Sequence, residues 1–507
     1  MFICCTAVVL VILTPVVFTI VQALQGGWGA LWSSLRSSSS FTLLLHTTLV
    51  ALASTPICGV LGVATAWFVE RTRLPVRRIW APLIVTPLVV PVFVTSYAWA
   101  NLGTWAQGFV GALAVVTFSY YPIVFLLVAA SLRVMDPALE ETSRSLGLGA
   151  WTTFARVVFP QLLPALLGGL LLVVLGILVE FDAFVALQYQ TFTVSIYAQY
   201  QISFSASGAA ALSFFAIAAC ILVLFVEYRI RGTADYARIG HGVRQSLTRY
   251  RLGRATPVVL AGLLTLVAVS VGVPLGTLVY WFTQSTPAAL SSATATLQYL
   301  WPSTLTSLLL GMAAAVVAIV FALPIAIAAT RYKGGLSTLL ERSVYLSFAL
   351  PDLVAGIALA YAASRFVHVL YGSVFLFIIA EAILFVPFAV VALRTTLSLI
   401  PPTLEESARS NGVGPLQTFW RITLPLARPG LAAAGVLVFA LSLSDLSTAQ
   451  VLLPSGMYTL GTQFWANSRT VAFAAAAPYG GMLVALAIFA TLVLVSRFGR
   501  VQSLEGG

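Results

Sequence analysis

One short pattern occurs twice in this chain at a fixed separation. The first copy reads Glu141-Thr142-Ser143-Arg144-Ser145-Leu146-Gly147, followed by Val157, Phe159 and Pro160. The second reads Glu406-Ser407-Ala408-Arg409-Ser410-Asn411-Gly412, followed by Ile422, Leu424 and Pro425. The displacement is 265 residues at both ends (406 − 141 and 425 − 160). Pro137 and Pro402, Phe154 and Phe419, Arg156 and Arg421, and Pro164 and Pro429 keep the same spacing. A long fixed offset means two homologous halves in one chain, and in membrane transporters such a repeat frames the pathway.

The solvent for those halves follows from charge. Of 507 residues 60% are hydrophobic and only 8% charged, too few to cover a soluble protein of this size. Long apolar runs recur without the ten-residue alternation of barrel strands, so the expected fold class is an all-α polytopic membrane protein. Twelve apolar spans are expected, near 2–24, 41–69, 80–101, 107–133, 162–188, 208–230, 256–282, 303–330, 343–365, 374–399, 428–453 and 478–498. They group as a first half, 1–230, a basic linker, 231–254, and a second half, 255–507, each half with six helices. Residues 1–24 lack a basic leader region and read as a retained first helix.

The net charge of +11 does not point to nucleic acid, because the arginines cluster beside the ends of apolar runs. With the N-terminus inside, 23 Lys and Arg side chains fall on the inner side and three, Arg36, Arg365 and Arg469, outside. The positive-inside rule then puts both termini and both copies of the motif in the cytoplasm. The linker reads as a solvated connector or a contact for anionic lipid headgroups. Four cysteines (Cys4, Cys5, Cys58, Cys220) and three scattered histidines show no ligand spacing and read as packing residues.

Each motif is expected to form a short, rigid surface helix. Pro137 and Pro402 suit a first helical turn. Glu140-Glu141 and Glu405-Glu406 place negative charge near that N-terminus, where the helix dipole favours it. Gly147 and Gly412 are suited to a left-handed terminating position, and Pro160 and Pro425 mark the approach to the next span. Two such knobs suit a two-lobed partner.

The spacing Glu-x5-Gly-x9-Ile/Val-x-Leu/Phe-Pro resembles the EAA loop of ATP-binding-cassette import permeases. The first copy departs from it in Thr142-Ser143 and Phe159; the second, with Ser407-Ala408, fits better. The resemblance implies the type I importer permease fold. It implies that Glu140, Glu141, Gly147, Pro160, Glu405, Glu406, Gly412 and Pro425 couple the chain to two separate ATP-binding subunits. ATP and magnesium would sit on those partners, with no cofactor on this chain. The sole lysine, Lys333, lies in no Gly-Lys-Ser/Thr loop, in keeping with hydrolysis elsewhere. A fused pair of permease halves resembles the ferric-iron and thiamine importers. The stretch Gln188 to Thr193 with Ile196-Tyr197, and Ala475 to Tyr479, resemble the ferric-iron group more specifically. Fe3+ delivered by a periplasmic or lipid-anchored binding protein is then the implied substrate, in a bacterial inner membrane. Thiamine or another small solute is the alternative, and an ion-coupled secondary transporter lies further off because the repeated motif falls outside the membrane. A membrane enzyme would need a nucleophile–base set, and the sequence offers none.

Acids inside a membrane cost roughly 2.5–3.5 kcal/mol at a helix centre and need a reason. Glu180 and Asp445 stand 265 residues apart (445 − 180), late in equivalent spans, with Asp182 beside the first. They are expected to face one another at the outer end of the pathway, near Tyr189 and Tyr197. Three roles stand open: a gate, a bond to backbone where the helix breaks, and oxygen ligation of hard trivalent iron. Glu381 has no acidic counterpart, since Val116 occupies the position 265 residues earlier.

Overall fold

The computed structural model describes residues 2–25, 27–135, 137–201, 206–231, 249–284, 287–332 and 334–498. The interior of the expected linker, 232–248, and Lys333 lie outside the described residues. Among the described residues every regular element is a helix. The first part of the chain runs α1 (Phe2–Gln25), α2 (Gly27–Arg36), α3 (Ser38–Arg71), α4 (Arg77–Val85), α5 (Val92–Ala100) and α6 (Gly108–Val134). It continues through α7 (Pro137–Ser145), α8 (Ala150–Thr153), α9 (Phe159–Val179), α10 (Asp182–Ala186), α11 (Phe192–Gln201) and α12 (Ala206–Arg231). Beyond the linker come α13 (Thr256–Val267), α14 (Val273–Thr283), α15 (Pro287–Arg331), α16 (Gly335–Tyr345), α17 (Asp352–Phe366) and α18 (Val374–Leu399). The chain ends with α19 (Pro402–Ser410), α20 (Pro415–Thr418), α21 (Leu424–Ser444), α22 (Ser447–Leu452), α23 (Leu460–Arg469) and α24 (Phe473–Phe498).

Ten helical stretches among the described residues are long and apolar enough to cross a membrane, and α4 with α5 makes an eleventh if that pair, bent by 85°, is one span. This is a multi-pass membrane protein. The ninth expected span, 343–365, is not one helix: it breaks between α16 and α17. Both breaks fall at a proline in extended geometry, Pro91 (φ −54°, ψ 136°) before α5 and Pro351 (φ −60°, ψ 136°) before α17. A proline lacks the amide hydrogen that would continue the ladder, and it biases the preceding residue away from helix. Spans 162–188 and 428–453 also end early, at Val179 and Ser444, for a reason that belongs to the site.

The chain forms two compact units, and they divide it differently from the sequence halves. One comprises 36–195 and 218–277. In it α3 packs on α6 and α9, α6 on α9, and α5 on α10, while the π turn Ala268–Gly272 packs on α6. The other comprises 1–35, 196–217 and 278–507. There α15 packs on α18 and α21, α18 on α21, and α17 on α22, which repeats the first set of contacts. In this unit α1 packs on α15, α16 and α17, with the Cys5 thiol 3.3 Å from the Pro324 carbonyl and the Tyr361 hydroxyl 2.9 Å from Gln25.

Small residues let these helices touch, as expected where lipid offers no hydrophobic drive for association. A Cβ on Gly62 of α3 would stand 2.5 Å from the Val124 Cβ and 2.9 Å from the Phe125 amide nitrogen of α6. We expect Gly62→Ala to force α3 off α6 and cost about 1–3 kcal/mol by overpacking. Gly262→Ala in α13, where a Cβ meets nothing within 4 Å, should leave stability unchanged or raise it. Thermal denaturation of the two purified variants in detergent checks the difference.

Candidate functional site

The two motif copies fold alike. Each forms a helix of nine residues, α7 and α19, that opens on proline (Pro137, Pro402). Each ends at a glycine in left-handed geometry, Gly147 at φ +82° and Gly412 at φ +79°. The amide after each glycine returns to the helix: Leu148 donates to the Ser143 carbonyl at 3.2 Å and Val413 to the Ala408 carbonyl at 3.0 Å. That six-to-one bond satisfies a carbonyl the helix end would otherwise leave open. A short helix follows, α8 or α20, then a π turn, Phe154–Val158 or Phe419–Thr423, before α9 and α21 begin. Pro160 and Pro425 sit in the first turn of those helices.

The adjacent glutamates of each loop helix differ. Glu140 and Glu405 are buried, whereas Glu141 and Glu406 are exposed. Glu140 pairs with Arg71, the last residue of α3, at 3.2 Å, with 0% of the arginine and 8% of the glutamate side chain exposed. Glu405 pairs with Arg331, the last residue of α15, at 3.0 Å, with 12% of each exposed. A guanidinium at a helix C-terminus also meets the negative end of the helix dipole. Removing one partner of a buried pair typically costs about 3–5 kcal/mol, because the other charge stays buried alone. A further tie joins each loop helix to the segment that leads into the next span: the Ser143 and Thr153 hydroxyls are 3.0 Å apart, and Thr423 donates to Glu405 at 3.1 Å. In the first loop Arg144 also lies over the Tyr250 ring, 4.5 Å from its centroid. Tyr250, at the end of the linker, is held by backbone bonds to Arg71 and Arg73.

The acids late in the spans terminate them. Glu180 is the residue after α9 (ψ 126°), and Asp445 the residue after α21 (ψ 117°). Each then caps the short helix that follows: Ala183 N–H donates to Glu180 Oε1 at 3.0 Å, and Thr448 N–H to Asp445 Oδ1 at 3.3 Å. The bond to backbone at a helix break, one of three roles open from sequence, is therefore present in both. Their other neighbours differ. Tyr120 donates to Glu180 Oε2 at 2.5 Å, and the Thr193 hydroxyl to the Glu180 carbonyl at 2.6 Å. Asp445 lies near Glu381, which is fully buried and has no hydrogen-bond partner for either oxygen among the described residues.

Glu180, Asp182 and Tyr189 fall in one compact unit, and Tyr197 and Asp445 in the other. Asp182 is buried at the start of α10. Tyr189 donates to the His46 carbonyl at 3.0 Å and stacks on that imidazole at 5.1 Å. Burial raises the Tyr189 pKa, so the phenol remains a neutral donor. Tyr197 is half-buried on α11. Among the described residues no group of three or more His, Cys, Asp or Glu side chains is placed to hold a metal ion. Arg71, Arg331 and Tyr120 are the site residues that sequence reading did not single out. The signal for the arginines was their place at the ends of apolar runs, where they entered only as charge.

Residues 27–232 and 322–501 match the family described as the binding-protein-dependent transport system inner membrane component. The Fe(3+)-transport system permease protein FbpB 2 of Haemophilus influenzae is 33% identical over 93% of this chain and 92% of its own length. The ferric transport system permease protein FbpB of Actinobacillus pleuropneumoniae is 25% identical over 84% of this chain and 67% of its own. The sulfate transport system permease protein CysT of Escherichia coli is 27% identical over 92% of its length but only 46% of this chain, so it matches as a half-length relative.

The left-handed glycines give the direct test of this geometry. A β-branched residue there costs roughly 1–2 kcal/mol of backbone strain. Gly147→Val and Gly412→Val should loosen the ends of α7 and α19 and speed tryptic cleavage after Arg144 and Arg409 respectively. Gly149→Val, at an ordinary backbone angle with open space around it, should leave the digestion pattern unchanged.

Proposed function

Because the chain belongs to the family of inner membrane components of binding-protein-dependent transport systems, we propose that it is the membrane subunit of an ATP-driven ferric-iron importer. In this reading a periplasmic or lipid-anchored binding protein delivers Fe3+, and two separate subunits hydrolyse magnesium ATP. Both termini and both loop helices face the cytoplasm, as the arginine distribution argues. The halves 1–230 and 255–507 are the duplicated permease units, joined by the linker 231–254.

One observation carries the import reading: a loop helix with an exposed glutamate (Glu141, Glu406) and a buried, paired neighbour (Glu140, Glu405) occurs twice in one chain. Two such seats match a pair of ATP-binding subunits. Their closure would move both loops, and the spans tied to them would rock between outward- and inward-facing states. The iron assignment rests on the match to the FbpB 2 relative over nearly the whole of both chains, against a half-length match for the sulfate relative. Glu180 and Asp445 then act chiefly at the gate, as carboxylates that fix the helix breaks, with Asp182, Tyr189 and Tyr197 around the pathway. Their oxygens are of the kind hard trivalent iron prefers in passage.

The test is reconstitution. Vesicles carrying this chain with its copurifying ATP-binding subunits and a ferric-iron-loaded binding protein should accumulate ferric iron, and not sulfate, when ATP is supplied. Sulfate uptake would replace the iron assignment, and absence of any copurifying ATP-binding subunit would overturn the import reading. In the same vesicles Glu180→Gln and Asp445→Asn should each lower uptake at least about tenfold, while the amides keep the caps on Ala183 and Thr448 and so preserve the fold. Wild-type uptake by both variants would confine these residues to capping.

Topology has its own check. Cysteines placed at Ser37 and Ser455 should react with an impermeant thiol reagent applied outside the cell, and one at the exposed Arg73, beside Thr72, should not. The reverse pattern would invert the orientation.

A further inference from the structure

Each arginine at the loops makes a third contact besides its helix and its glutamate. Arg71 donates to the Met135 sulfur at 3.3 Å, at the end of α6 just before α7. Arg331 donates to the Leu397 carbonyl at 3.4 Å, near the end of α18 just before α19. So in each unit one guanidinium joins three elements: the long span that it terminates, the span that leads into the loop, and the first turn of the loop helix. The two halves reach this junction with different atoms, a thioether in one and a carbonyl in the other. The arginines are also 260 residues apart (331 − 71), not 265 like the glutamates they pair with (405 − 140). The length of the intervening chain has therefore changed while the junction has been kept.

We infer that Arg71 and Arg331 are positioning residues for energy coupling: each clamps its loop helix to two spans, so that a push on the loop moves those spans instead of deforming the loop. This rests on the import reading above and assigns separate work to the two glutamates. The exposed Glu141 and Glu406 are available to a partner. The buried Glu140 and Glu405 never reach it and act inward, through the arginines. Without the guanidinium the inner carboxylate is drawn toward water, the first turn of the loop helix shifts, and the spans no longer follow. The Arg71 pair is the drier of the two, so its loss should weigh more than loss of the Arg331 pair.

The experiment uses the full complex in vesicles, with iron uptake and ATP hydrolysis measured on the same preparation. Coupling between sites is typically worth about 5- to 150-fold, so Arg71→Gln is expected to raise the ATP consumed per iron imported about tenfold or more, and Arg331→Gln somewhat less. Retention of the ATP-binding subunits should stay near wild type in both. Glu141→Gln should do the opposite, weakening retention with the ratio unchanged. The exchange variant Arg71→Glu/Glu140→Arg, which restores an ion pair, should recover much of the lost coupling. A wild-type ratio in both arginine variants overturns the inference, as does loss of subunit retention in step with uptake, which would make the arginines plain scaffolding. Should Arg71→Gln fail to insert, Arg331→Gln and the charge-conserving Arg71→Lys decide by the same ratio. Failure of the import reading is recognised separately: the wild-type vesicles would then show no ATP-driven uptake.

Discussion

A hydrocarbon solvent offers nothing to a broken helix, so every interruption inside the membrane must satisfy its own polar groups. The architecture follows from how this chain meets that demand. At Pro91 and Pro351 the missing amide hydrogen removes one donor in advance, and the helix restarts at once. At Glu180 and Asp445 a carboxylate accepts the first free amide of the next short helix. The π turns before α9 and α21 lengthen the ladder by a residue without opening it, and such turns concentrate at working sites. All three devices occur in both halves, although few side chains around them are shared.

What is retained between the halves is geometry more than residue identity. Glu180 leans on a tyrosine, Tyr120, where Asp445 lies near a second acid, Glu381. A serine–threonine pair ties the first loop helix to the segment after it, and a threonine–glutamate pair ties the second. The first amide of α11 meets the Thr47 hydroxyl at 3.4 Å, and that of α23 meets the Ser307 hydroxyl at 2.8 Å. Contacts of this kind persist because a buried amide without an acceptor costs more than the choice of acceptor matters.

The helical class, the two loop helices, their opening prolines and their left-handed glycines were legible in the sequence, because each leaves a local signature. The break at Pro351 was not, since hydropathy runs on unchanged through two half-helices joined at a proline. The Arg331–Glu405 pair was hidden for a different reason. A search at the single offset of 265 carries Arg71 onto Leu336, because α17 has 15 residues where α5 has nine. The acids stood out because their cost in lipid is visible in sequence, whereas the backbone amides that bind them are not. Nor does sequence show that α1 packs with α15, α16 and α17, since hydropathy says only that a helix is buried in lipid and not which neighbour it has.

The first loop carries a contact with the end of the linker, Arg144 over the Tyr250 ring. A permease built from two identical chains must place every substitution in both loops at once. A chain that carries both copies is free of that restraint, and here the two loops have diverged, Thr142-Ser143 in one and Ser407-Ala408 in the other, with the end of the linker bracing the first. Selection can therefore stiffen one loop without altering the other, and the two present unequal surfaces.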